Sequence, residues 1–120
     1  HPSTARISLV GEHGARAVVQ GASVGGGNIL ITQINGMAVS FTGQYNTLLV
    51  LHHDQPGVIA AVTNFIASSD LNIGNFRPSR PRKGGEAVMT IEVDGDVPDS
   101  LMESLRGQPH VLNVVLIRAI

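Results

Sequence analysis

The sequence predicts an α+β chain in two parts, a β-rich segment over residues 1–43 and a β-α-β-β-α-β unit over residues 44–120. Three observations carry this. Hydrophobic residues make up 42 % of the chain and charged residues 14 %, a balance that favours a packed core over disorder. Aromatics are only 3 %, so Val, Ile and Leu must fill that core, and the β-branched ones among them suit pleated sheets. From Gln44 onward, strand-like apolar runs alternate with helix-spaced ones in a fixed order.

In the first part, residues 6–10 and 17–19 are short strand candidates. Residues 29–34 and 37–41 flank Asn35-Gly36, a two-residue hairpin signal because both turn positions need positive φ. Residues 21–28, with Gly25-Gly26-Gly27 among them, are expected to be a loop in which the backbone bends sharply or closely approaches something. Four strands without a helix bury little surface. This part is therefore expected to complete its core with further sequence or with another subunit.

In the second part, residues 47–51 form a strand that runs into His52-His53-Asp54-Gln55-Pro56-Gly57. A helix starts near Pro56, whose fixed φ suits a first turn. Val58, Ile59, Val62, Phe65 and Ile66 give that helix one apolar stripe. Asp70 and Leu71-Asn72-Ile73 mark the exit into a second strand, and Lys83-Gly84-Gly85 turns the chain into a third over residues 87–93. Pro98 opens a second helix, with Leu101, Met102 and Leu105 on one side and Gly107 at its end. Residues 111–120 form a last, nearly all-apolar strand. The order is the ferredoxin-like plan.

Composition excludes several functions. The formal net charge is −1 with no basic cluster, which argues against nucleic acid and against an anionic membrane as main partner. Arg77-Pro-Ser-Arg80-Pro-Arg82-Lys83 reads as a solvated loop. Without cysteine, the chain holds no disulfide, thiolate nucleophile, Cys-ligated zinc or iron–sulfur cluster. No apolar run approaches the roughly 18 residues of a membrane span, and no signal-peptide pattern opens the chain, so a cytoplasmic location is expected. The first residue is His1, not Met, and the expectation is a piece of a longer protein whose preceding part holds the chemistry.

The five histidines, His1, His13, His52, His53 and His110, show no metal-ligand spacing, so no metal site is expected. Ser23, Gly25, Gly26, Gly27 and Asn28 admit two readings, an anion-binding loop or a tight strand–strand connection. The dinucleotide fingerprint fails, because a strand follows where a helix is needed. No Gly-x-Ser-x-Gly occurs, and no catalytic residue is assigned. The best candidate site is the turn containing His52, Asp54, Pro56 and Gly57. There, polar side chains meet a helix N-terminus that favours a carboxylate. Asp54 has the alternative of simply capping that helix. Asn72 is expected close to the same turn, where its amide suits the zwitterionic head of an amino acid, with a turn-forming role as the alternative. Adjacent strand residues point to opposite faces, so His52 and His53 are not both expected to face one ligand.

Residues 51–59, Asp70-Leu-Asn72-Ile73 and residues 86–94 together resemble an ACT domain. Residues 1–6, the segment Gly21-Ala-Ser-Val-Gly-Gly-Gly-Asn-Ile29 and Ile34-Asn-Gly36 narrow this further. With the ACT-like unit they resemble the beta (regulatory) portion of bacterial iron–sulfur L-serine dehydratases, with residues 1–43 similar to the second half of an allosteric-substrate-binding domain. The resemblance implies a regulatory module that binds L-serine or another small amino acid, pairs as a homodimer through its ACT domains, and serves a catalytic portion or subunit. That portion would be a lyase converting L-serine to pyruvate and ammonia at a [4Fe–4S] cluster; the chain itself holds no cofactor. The preference for His52, and the effector roles of His52, Asp54 and Asn72 with Pro56 and Gly57 shaping the turn, follow from the motif match. Two departures stand out, since the first half of the substrate-binding domain and the cysteine-bearing portion are both missing. The alternatives are the regulatory end of a D-3-phosphoglycerate dehydrogenase or a purely structural dimerisation module.

Overall fold

The computed structural model describes residues 4–10, 16–25, 28–34, 37–39, 41, 44–80 and 85–119, with side chains described at 37, 39, 41, 44–80 and 85–119. Strands β1 (Thr4–Val10), β2 (Arg16–Gly25), β3 (Asn28–Ile34) and β4 (Met37–Ala38) form one antiparallel sheet in the order β1-β2-β3-β4. β2 is longer than expected. It runs through Gly21, Ala22, Ser23 and Val24 to Gly25, so most of the anticipated loop is strand, with register shifts at Gln20/Gly21 and Ser23/Gly25. Irregularities of this kind are where small residues fit inside a strand. Ile34 pairs with Met37, which leaves a two-residue connection; Asn35 and Gly36 themselves lie outside the described residues. β4 stops after Ala38 instead of reaching Phe41, because Val39 and Phe41 turn to pack on the second sheet.

The second sheet has the β-α-β-β-α-β order. It contains β5 (Asn46–His53), α1 (Val58–Ser68), β6 (Asn72–Ser79), β7 (Glu86–Asp94), α2 (Asp99–Arg106) and β8 (Val111–Ile117), with strand order β6-β7-β5-β8. β7 is antiparallel to both β6 and β5; β6 therefore runs parallel to β5, joined to it by the α1 crossover. Alternation along the strands divides the core. Leu48, Val50, Met89, Ile91 and Val93 face the helices and meet Val58, Val62, Ile66, Leu101 and Leu105. Leu49, Leu51 and Val88 face the other way and are covered by Met37 and Phe41. β5 is thus apolar on both faces over Leu48–Leu51 and reads as an unbroken hydrophobic run there, whereas β7 carries Thr90 and Glu92 on its helix-free face.

Two details of the expected helices change. α1 begins at Val58, with Gly57 at φ 87° as its N-cap, because that left-handed residue separates Pro56 from the helical path. Ile59 leaves the expected stripe and is 40 % exposed, while Val58, Val62 and Ile66 point inward. β6 is an edge strand and so accommodates Pro78, which cannot donate to a ladder on both sides. Asn46 closes the end of the sheet. Its Nδ2 donates to the Gly95 carbonyl at 2.7 Å, and its Oδ1 accepts from the Ala119 N–H at 2.8 Å. No helix among the described residues is long and apolar enough to cross a membrane.

These positions set a stability contrast. Ile66→Ala is expected to cost about 2–5 kcal/mol through lost burial and the cavity left behind, whereas Ile59→Ala should stay within about 0.5 kcal/mol. Urea unfolding of both variants measures the difference.

Candidate functional site

β5 delivers two adjacent histidines to the turn before α1. His52 is 3 % exposed, and its Nδ1 lies 2.8 Å from the His53 carbonyl oxygen. A carbonyl only accepts, so Nδ1 carries the hydrogen and Nε2 is the acceptor of the neutral ring. His53 is exposed. Its ring meets that of His110 edge-on at 6.4 Å, and its backbone N–H donates to the His110 carbonyl at 2.8 Å.

Asp54 does not cap the helix. Its Oδ2 accepts from Nε and Nη2 of Arg80 at 3.0 and 2.7 Å, while its own N–H donates to the Gly85 carbonyl. The basic stretch is therefore not wholly a solvated loop: Arg80 is tied to this turn and Arg77 lies within β6. Arg82 and Lys83 lie outside the described residues. Gly57 takes the cap position, and among the described residues no side-chain cap hydrogen bond forms at the start of α1. A helix start without a side-chain cap retains donors suited to an anion. A Cβ on Gly57 would meet nothing within 4 Å, so its requirement is conformational alone.

Asn72 is not close to this turn in a single copy. It pairs with Asp94, whereas His52 pairs with Ala87. The two lie seven residues apart along β7, roughly 23 Å at strand rise. The reason is topological: α1 carries the chain back to the start of β5, so the parallel β6 begins at the opposite end of the sheet. Asn72 instead borders an open cleft of about 470 Å³ on the helix-free face, with Phe41, Tyr45, Asn75, Arg77 and Glu92. No motif marks Asn75, Arg77 or Glu92. Their only signal is that Thr90, Glu92 and Asp94 share one parity of a strand whose other parity is apolar.

The glycine segment forms part of the first sheet. Ser23 and Gly25 lie in β2 and Asn28 opens β3, with Gly25 paired to Asn28; Gly26 and Gly27 lie outside the described residues. A strand, β3, follows this segment where the dinucleotide fingerprint needs a helix.

A family model described as "ACT domain" matches residues 46–110. The chain is 38 % identical over 117 residues to "Probable L-serine dehydratase, beta chain" of Bacillus subtilis (strain 168), covering 98 % of this chain and 53 % of that protein. It is 32 % identical over 107 residues to "L-serine dehydratase, beta chain" of Peptoniphilus asaccharolyticus, covering 89 % and 48 %. A D-3-phosphoglycerate dehydrogenase of Bacillus subtilis (strain 168) is 32 % identical over 87 residues, covering 72 % of this chain and 17 % of that protein. The chain spans about half the length of the two beta chains it matches.

The turn yields two contrasting substitutions. Gly57→Ala should destabilise by about 1–2 kcal/mol, the penalty of a left-handed backbone for an L-residue. Arg80→Ala should cost no more than about 1 kcal/mol, since the guanidinium side of the pair is 53 % exposed and such pairs are solvent-screened. Raising the salt concentration in urea unfolding should shrink the second difference and leave the first.

Proposed function

The chain belongs to the ACT domain family, and on that premise we propose that it is the amino-acid-sensing regulatory end of an L-serine dehydratase. The observation that carries this reading is the extent of the match to the dehydratase beta chain. It spans 98 % of the chain and so takes in the β-rich segment as well as the ACT unit. The dehydrogenase matches are 26–32 % identical over 72–88 % of this chain and take in only 17–20 % of those proteins, which makes the dehydrogenase the second reading.

The effector is L-serine or another small amino acid, and the turn ahead of α1 receives it. The uncapped start of α1 suits the ligand carboxylate, and the Nδ1–H tautomer of His52 leaves Nε2 as that ring's acceptor. Asn72 reaches this turn from a second copy. β6 is an edge strand with backbone groups available for pairing. If two copies pair their β6 edges antiparallel about a two-fold axis, the start of one β6 lies beside the end of the other. Since Ser79 pairs with Val88 and Val88 with Leu51, that end of the sheet is the one bearing the His52-to-Gly57 turn. Dimerisation and ligand binding are therefore one event in this proposal.

The dehydration itself belongs to a catalytic portion or partner subunit. An iron–sulfur cluster requires thiolate ligands, and the chain has no cysteine to supply them. The cluster and its chemistry lie elsewhere in the assembly.

Calorimetric titration with L-serine tests the proposal. Asn72→Ala should weaken binding by roughly ten- to a hundredfold, about 1.5–3 kcal/mol for a charged donor left without its acceptor. His52→Ala should weaken it more than His53→Ala. Sedimentation at micromolar concentration should show a dimer. A parent chain that neither binds an amino acid nor dimerises would overturn the assignment.

A further inference from the structure

The helix-free face of the second sheet has two chemistries. Over β5 and β8 it is apolar and covered, with Leu49, Leu51, Val115 and Ile117 grouped against Met37 and Phe41. Over β6, and beyond Val88 along β7, it is polar. The register sets Asn75 opposite Glu92 and Arg77 opposite Thr90. Their neighbours Phe76, Ile91 and Met89 belong to the helix-side core, which places the polar set on the other face. The 470 Å³ cleft lies over this polar half, bordered by Phe41 and Tyr45.

Glu92 lines this cleft and is only 7 % exposed. Its Oε1 accepts one long hydrogen bond, 3.5 Å, from Asn75 Nδ2. That amide is oriented from behind, because its Oδ1 accepts the Phe76 N–H at 3.0 Å. A carboxylate has about four acceptor positions, and ordinary N–H···O bonds run about 2.7–3.2 Å, so the acceptor capacity of Glu92 is nearly unused. Buried charge of this kind is ordinarily paired. Arg77 borders the same cleft. Among the described residues its guanidinium makes no ion pair or hydrogen bond. Arg77 and Glu92 occupy diagonal positions across two strands, within reach of long side chains, yet they do not join.

We propose that this cleft is a second binding site, for a small zwitterion whose ammonium group rests on the Glu92 carboxylate and whose carboxylate rests on Arg77. The aromatic wall of Phe41 and Tyr45 and the amide of Asn75 suit an amino acid with a short, polar side chain. The site lies within one copy and does not depend on the His52 turn or on dimerisation. It also joins the two parts of the chain, because Phe41 belongs to the segment leaving the first sheet while Arg77 and Glu92 belong to the second.

The chain contains one tyrosine and no tryptophan, so its intrinsic emission reports Tyr45 at the cleft. Titration of the full chain with L-serine and glycine at millimolar concentrations should change this emission saturably. Ethanolamine, which lacks the carboxylate, and 3-hydroxypropionate, which lacks the ammonium, should bind at least tenfold more weakly. Glu92→Gln and Arg77→Ala should each weaken the response tenfold or more, the loss expected when a charged group is left unpaired. His52→Ala should leave the Tyr45 response intact while reducing binding seen by calorimetry, so failure at one site is distinguishable from failure at the other. No emission change with either amino acid would overturn the proposal, and this arm needs no variant to fold. An equal response to ethanolamine, or a midpoint unmoved by both variants, would overturn it as well.

Discussion

Burial of β5 and β7 on both of their faces is the constraint on which the rest of the second sheet depends. Leu48 through Leu51 and Ala87 through Met89 are all buried. A strand pair of this kind needs two covers, whereas an antiparallel sheet with one wet face needs only one. α1 and α2 supply the first through Val58, Val62, Ile66, Leu101 and Leu105. Met37 and Phe41 supply the second. β4 and the short segment after it are thus more than a connection, since they close the core of the unit that follows.

That second cover is narrow, and its limit determines where polar chemistry can sit. Apolar residues of the helix-free face cluster over β5 and β8, beneath Met37 and Phe41. Beyond Phe41, toward β6, the same face carries Thr90, Glu92 and Asp94 from β7, with Asn75 and Arg77 opposite. The cleft is the boundary between covered and uncovered sheet. Glu92 is buried there by the geometry of the sheet and not by an apolar preference, and this is why its carboxylate is so poorly matched by hydrogen bonds.

The turn before α1 is built differently. Its geometry comes from backbone, with Gly57 in a left-handed conformation and the Asp54 N–H bonded to Gly85. Side chains then tie it sideways: Arg80 grips Asp54, linking the β5–α1 turn to the end of β6. The β5–α1 turn and the end of β6 are coupled through this ion pair. A ligand at the turn would meet a helix start that no side chain has already capped, in a family whose relatives include L-serine dehydratase beta chains.

Much of this was legible in the residues themselves. Period-two and helical spacing identified the order of strands and helices after Gln44, because core-facing positions must recur with the period of their element. Pro98 marked the start of α2 through its restricted φ, and Gly107 marked its end, although it sits at an ordinary φ of −80°. Local pattern misjudged the span 21–25, since glycines that suggest a loop also fit a strand carrying bulges. It also placed Ile59 in the core, one residue off the stripe that packing selected. The candidate site divided along the same line. The sequence by itself determined the composition of the His52-to-Gly57 turn, because that turn is contiguous and its chemistry is local. Only the tertiary structure decided that Asn72 lies at the far end of the sheet, that Arg80 and not the helix holds Asp54, and that Glu92 and Arg77 border one cleft with Tyr45. Those relations depend on strand order and register, which join residues far apart in the chain.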